Sequence, residues 1–240
     1  MLQDLIKIAI EKGIQFGSIQ IVDSVHSVAN VNVQKDEQRQ KKKKGRRYPD
    51  AGWGAKHKRK VRSPDGKEEE QTEYFFGYKA HTSMNATTNL ITSLEVTSGK
   101  VYDGDHFCNL VDQDLEQGIP VETYTADKGY DDGDNHYYLE SRGLHSAIRL
   151  KRTRTEKKDK NKQIWLDLRA SEPYKQGLKE RYKIERKFGE GKQNHGLGRC
   201  RYLGLMGFAV QAFFTVFVLN VKRMVKLLTG TGFKTQSATT

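Results

Sequence analysis

The apolar run LGLMGFAVQAFFTVFVLNV at 203–221 constrains this chain more than any other feature, because a segment of that length must either cross a bilayer or be covered by protein. Gln211 and Asn220 interrupt it, and basic residues flank both ends. The rest of the chain is strongly polar, with a mean hydropathy of −0.79. These features read as a buried core helix rather than a span. A chain of 240 residues has room for one well-buried main domain to cover such a helix, with at most a small subdomain beside it. The start, MLQDLIKIAIEKG, lacks a small-residue cleavage site and carries acidic residues among its apolar ones. It reads as a short amphipathic helix ended by Gly13, not as a signal peptide.

What covers the core helix follows from the order of the remaining runs. SIQIVDS at 18–24 has the composition of a buried strand. The stretch 34–73, with QKKKKGRR, WGAKHKRKVR and the turn-like SPDG at 63–66, holds few apolar residues and reads as an exposed basic loop or insertion. YFFGYKAHTSMN and NLITSLEVTSG then form a hairpin around Asn-Ala-Thr-Thr. DGDHFCNLVDQDLEQG at 103–118 has helical spacing and ends at Gly118. VETYTAD is a strand, NHYYLESRG a short helix and LHSAIRL at 144–150 another strand. A basic loop at 151–163 and helices at about 172–193 and 203–228 follow, with a frayed tail at 229–240. The order implies an α/β fold: a mixed five-stranded sheet flanked by helices, with a basic irregular insertion after the first strand.

The net charge of +12 and pI of about 9.5 favour a polyanionic partner, nucleic acid first. Cys108 and Cys200 have no metal or disulfide spacing, which suits a reducing cytoplasm. His106 and Cys108, a lone HxC, read as ordinary helix residues.

Three acids stand apart from this background. Asp23 and Asp127 each end an apolar strand-like run, so neighbouring strands can project both carboxylates at one rim. Glu185 lies in a basic helix able to pack against that rim. Oxygen donors suit hard divalent cations, and two such ions can activate an attacking oxygen and stabilise the leaving one. At 100° per residue Arg181, Glu185 and Lys192 fall within about 40° of one another around the helix axis, so cations flank the acid on one face. The plainer alternative is an i,i+4 pair between Arg181 and Glu185 on a solvated helix. Asp131, Asp132 and Asp134 read as caps of the helix that follows them.

With these residues the chain resembles the bacterial insertion-sequence transposases of the DDE type, whose catalytic domain is RNase H-like. The resemblance spans roughly 15–222 and rests on IVDS, GYKAH, LITSLEVTSGKVYDGD, TADKGYDD and RYKIERKFGEGKQNHGLGRCRYLG. The family's helix signature, Tyr, Arg, Glu and Lys at fixed spacing, matches at Arg181, Glu185 and Lys192, while Leu178 replaces its tyrosine. The resemblance implies that Asp23, Asp127 and Glu185 hold two Mg²⁺ or Mn²⁺ ions for cleavage and strand transfer on DNA. It also implies that Arg181, Lys192 and Lys128 position DNA phosphates, with Arg199, Arg201, Lys79 and His81 placed near the rim without a defined role. Transposon ends and target DNA are the implied partners, with a homodimer acting on paired ends in the cytoplasm, at the nucleoid, and no membrane. The implied domains are a residual helix at 1–14, a catalytic domain at 15–228 carrying the basic insertion at 34–73, and a flexible tail at 229–240. Only 22 residues precede Asp23, so an N-terminally truncated or split copy without an end-recognition region is expected. Two other readings keep the carboxylates: a transposition-incompetent DNA-binding remnant, and a metal-dependent nuclease of the same fold.

Overall fold

A computed structural model describes residues 2–62, 68–156 and 160–230, apart from the side chains of 57–61 and 69. The SPDG turn, the middle of the second basic loop and the tail from 231 lie outside the described residues. The framework is one mixed sheet of β1 (Ile19–Val28), β2 (Gly52–Arg62), β3 (Glu68–Asn85), β4 (Ile91–Ser98), β5 (Thr123–Ala126) and β6 (His145–Ile148). Its order is β2-β3-β1-β5-β6, with β4 also on β3. β1 runs antiparallel to β3 and parallel to β5, and β5 parallel to β6. Among the described residues eight α-helices surround it: α1 (Leu2–Glu11), α2 (Val33–Lys41), α3 (Phe107–Glu116), α4 (Gly133–Ser141), α5 (Lys162–Ala170), α6 (Glu172–Glu180), α7 (Tyr182–His195) and α8 (Gly204–Thr229). This is the RNase H-like architecture.

The two faces of the sheet follow from the period of two along each strand. On β1, Ile21 and Val25 join the core against Ile184 and Phe188 of α7 and Phe208, Ala212 and Val216 of α8. Val22 joins the opposite core, with Phe107 and Leu110 of α3, Leu139 of α4 and Tyr124 of β5. On the second face Asp114 of α3 is buried and accepts hydrogen bonds from Ser83 (2.6 Å), Ser93 (2.5 Å) and Tyr124 (3.3 Å). Burial pushes its carboxyl up to about 6, against the lowering effect of the donors. At Gly177, α6 approaches the sheet so closely that an added Cβ would lie 2.4 Å from the Ala147 side chain.

The sheet has six strands where the sequence suggests five, because the basic stretch at 34–73 is not an irregular insertion. It forms α2, capped by Asn32, and β2, which pairs with the long strand β3 from Gly52↔Gly77 to Arg62↔Glu68. That register sets basic positions opposite the acidic start of β3, and Lys56 pairs with Glu73 at 2.7 Å. The Lys56–Glu73 pair, the Trp53–Phe76 ring contact and a ladder of backbone bonds hold this strand. Two further boundaries differ. The predicted loop at 151–163 ends in α5, whose Trp165 packs beside His136. The predicted helix at 172–193 is two helices with a break at Arg181.

α8 is long and apolar enough to cross a membrane, yet it is docked on the protein by the two polar residues that interrupt it. Asn220 pairs with both backbone groups of Ile91 on β4, at 2.9 and 2.7 Å. Gln211 bonds Gly196 and Arg199 carbonyls and the Arg201 N–H. The expected core helix is buried on one face only: Met206 is 79% and Phe214 57% exposed.

Candidate active site

Asp23 follows the last residue pair of the parallel β1–β5 ladder, Val22↔Ala126, and Asp127 follows the same pair on the other strand. Neighbouring strands are about 4.8 Å apart, so the parallel register sets the two aspartates side by side at the carboxyl ends of their strands. Their parity points both toward the α6–α7 side, since Asp23 shares the face of Ile21, and Asp127 that of Thr125, which lies under Gly177 of α6.

Local bonds hold each acid. Asp23 Oδ1 accepts from the Ser24 N–H at 2.8 Å. Asp127 caps the short 3-10 turn Lys128–Tyr130, accepting from the Gly129 N–H at 2.6 Å. A Cβ at Gly129 would sit 2.8 Å from Asp127 Oδ1, which accounts for the glycine in DKGY. Burial raises the Asp23 carboxyl to about 7; the Asp127 and Asp103 charges add to the rise, and the Ser24 N–H and the Arg181 guanidinium oppose it. Behind the pair, the buried Tyr130 phenol is pushed well above its ordinary range, by burial first and then by the charges of Asp23, Asp103 and Asp127.

Glu185 is differently held. Its side chain is 55% exposed, and Arg181 bridges it to the sheet, 2.5 Å from Glu185 Oε1 and 3.7 Å from Asp23 Oδ2. The i,i+4 pair anticipated as the plain alternative therefore exists, and the same guanidinium also reaches Asp23. Among the described residues, no three His, Cys, Asp or Glu side chains converge closely enough to share one cation as they stand. The donor chemistry nevertheless fits a hard cation: oxygen only, with two carboxylates adjacent and one of them costly to ionise.

Of the predicted DNA-contacting residues, Lys192 lies on the Glu185 face, within electrostatic reach of Asp23. Burial lowers its ammonium first, then the charge of Lys56. The sequence does not single out Lys56, because its strand reads as a loop; a basic run followed by an acidic one is the available signal. Lys128 is exposed on the turn after Asp127. Arg199 lies beside Val28, five residues beyond Asp23 on β1, with Nε bonded to Asn30. Arg201 sits against Gly196 in the α7–α8 loop. Lys79 and His81 lie on the other face of the sheet: they pair with His26 and Ser24, whose parity is opposite to that of Asp23. There Lys79 binds Asp103 at 2.7 Å. His81 bonds Thr97 and stacks on His106, and burial lowers it to about 4, leaving it neutral. His106 bonds Glu95 at 2.6 Å, and Cys108 faces Asn135. Asp132 caps α4 as the sequence suggests. Asp131 does not cap; it is buried and accepts from His136, the Lys151 N–H and Arg154.

A mixed sheet that places two aspartates at adjacent strand ends, with a glutamate helix packed over them, belongs to the RNase H-like class of domains. Within that class the assignment is specific. The profile of the family described as "Transposase DDE domain" matches residues 15–221, and the chain belongs to that family. It is also similar to the "Transposase for insertion sequence element IS1106" of Neisseria meningitidis serogroup B, at 27% identity over 160 residues, which cover 65% of this chain and 49% of that protein. The matched region thus spans about half the length of that relative.

Proposed function

We propose that this chain is the catalytic domain of an insertion-sequence transposase, which cuts DNA strands at the element's ends and joins them to target DNA. The observation that carries the reading is the side-by-side placement of Asp23 and Asp127 by the parallel β1–β5 register. Asp23, Asp127 and Glu185 would hold two Mg²⁺ or Mn²⁺ ions. Bound there, such ions supply Lewis-acid activation of an attacking oxygen, first water and then a 3′-hydroxyl, and neutralise charge on the leaving oxygen.

The protein's own groups do the rest. Ser24 and Gly129 N–H groups fix the two aspartates before DNA arrives. Arg181, already between Asp23 and Glu185, exchanges a carboxylate for a phosphate oxygen as DNA enters, a trade its fork of donors suits. Lys192 and Lys128 hold flanking phosphates, and Arg199 and Arg201 extend the same positive surface. The catalytic domain would run from 15 to 228, with α1 as a residual N-terminal helix packed on the same core as Leu90 and Met224. The full reaction would pair two ends in a homodimer at the nucleoid.

The test incubates the purified chain with intact and pre-nicked DNA carrying the element's ends, with Mg²⁺ or Mn²⁺, beside Asp127→Asn, which keeps the cap. Metal-dependent joining lost in the variant supports the reading. Cleavage without joining points to a nuclease, and DNA binding without either to a non-enzymatic remnant.

A further inference from the structure

α7 carries cations on two faces, and the reading above uses only one. About 100° of rotation per residue gathers Arg181, Glu185 and Lys192 on one side of the axis. It places Lys183, Arg186 and Lys187 on nearly the opposite side. That second face lines a cavity of about 520 Å³ with Lys222, Arg223 and Lys226 of α8, and Glu190 is the single carboxylate in the lining. The β3–β4 turn forms one wall: Lys183 donates to the Ala86 carbonyl at 2.8 Å and Arg223 to the Thr88 carbonyl at 2.6 Å. That turn is bonded to Ile19, at the start of β1, whereas Asp23 lies about 13 Å further along the strand. The cavity is therefore separated from the carboxylates by the thickness of a helix and nearly half the length of β1.

The charges in this cavity are only partly cancelled, with Lys183 paired to Glu180 of α6. Glu190 is shared between Lys187 at 3.4 Å and Lys222 at 3.0 Å. Lys187 is only 8% exposed, a rare position for a lysine. Burial lowers its ammonium first, and the Arg223 and Lys222 charges add to the effect. Among the described residues Arg186 and Lys226 make no ion pair, and both are exposed at the mouth. Holding like charges together around a concavity costs stability, and a polyanion entering it removes that cost while releasing its own counterions.

We propose that the α7–α8 cavity is a second phosphate-binding site, which takes the backbone of a DNA segment other than the stretch lying across Asp23 and Asp127. The choice of DNA rests on the transposase reading; the charge and the geometry rest on the cavity alone. One helix would then sit between two DNA segments, with its carboxylate facing one and its unpaired cations the other. The duplex would leave the catalytic rim and pass around α7, or a second duplex would be held there.

The test uses the full chain carrying Asp127→Asn, so that DNA is bound and not cut, and follows binding to a duplex of about 40 base pairs between 50 and 200 mM salt. Arg186→Ala/Lys226→Ala removes the two unpaired cations at an exposed mouth. The slope of log affinity against log salt should fall by about 0.9 for each phosphate no longer neutralised, so by about 2 in all. The charge-reversed Arg186→Glu/Lys226→Glu pair should weaken binding further, by about 100-fold at low salt. Lys175→Ala/Lys179→Ala on α6 removes equal charge outside the cavity and should change the slope by less than half as much.

An unchanged slope in Arg186→Ala/Lys226→Ala, or an equal change in the α6 control, overturns the second site. If at the same time Arg181→Ala/Lys192→Ala lowers the slope, the catalytic-face reading survives without it. Conversely, a slope that falls as predicted, in a chain that shows no metal-dependent joining before Asp127→Asn is introduced, keeps the phosphate site and removes the transposase reading.

Discussion

The two halves of the proposed carboxylate site are built by different physics. Asp23 and Asp127 stand on adjacent parallel strands, each tied to a backbone N–H, at positions set by a ladder that cannot slip one residue without turning the core inside out. Glu185 stands on a helix, half exposed, and reaches the sheet only through Arg181. One half is preorganised and electrostatically strained; the other is adjustable and relaxed. On the proposed function, the sheet would supply the geometry of the site and the helix its capacity to respond to a ligand.

The strongest way to break this contrast is to remove each acid. Asp23→Asn, Asp127→Asn and Glu185→Gln should each lower the rate of metal-dependent strand joining by about 10³-fold or more, measured on pre-nicked ends. A Glu185→Gln variant retaining more than about a tenth of the activity would remove the helix from the site altogether.

Stability should then separate what activity does not. Asp114 lies under the sheet half and accepts from three hydroxyls, so Asp114→Ala should cost about 2–4 kcal/mol in urea denaturation by leaving those donors unpaired. Asp23 and Asp114 keep protons in the fold up to about 7 and about 6, which the unfolded chain releases near 4. The stability they contribute is thus present below about pH 4 and lost as the pH rises through 6 and 7. Asp23→Asn should remove the upper part of that loss and raise the Tm at pH 8 by about 2–6 °C. Millimolar Mg²⁺ should raise the wild-type Tm at pH 8 by a similar amount, and much less in Asp23→Asn or at pH 5, where protons compete for the carboxylate. Glu185→Gln should change the Tm least of all, since an exposed i,i+4 pair contributes about 0.5 kcal/mol. A larger loss would mean that Arg181 binds both halves into one rigid unit.

Much of this was legible in the sequence wherever one element carried the signal. IQIVDS and TYTAD announce buried strands ending in acid, and the spacing of Arg181, Glu185 and Lys192 announces a shared helical face. The polar interruptions of the apolar run, Gln211 and Asn220, mark its docked side. β2 was hidden because its stability comes from pairing with β3, not from side-chain periodicity. Lys79 and His81 stand near the rim but on the face opposite Asp23, because GYKAH fixes their alternation while the register with β1 decides which face it serves. Asp131 resembles a cap in the sequence because two of its partners, Lys151 and Arg154, lie twenty residues or more away.

By itself, then, the sequence determined the periodic properties of single elements: strands that end in carboxylate, a helix with acid between cations, and an apolar helix with two polar docking points. Local sterics and alternation act over a few residues and need no partner. Only the tertiary structure decided that Asp23 and Asp127 are neighbours, that Arg181 spans two acids, and that cations of α7 and α8 enclose a second cavity. Those are properties of pairs and sums, since fields and concavities arise where separate elements meet.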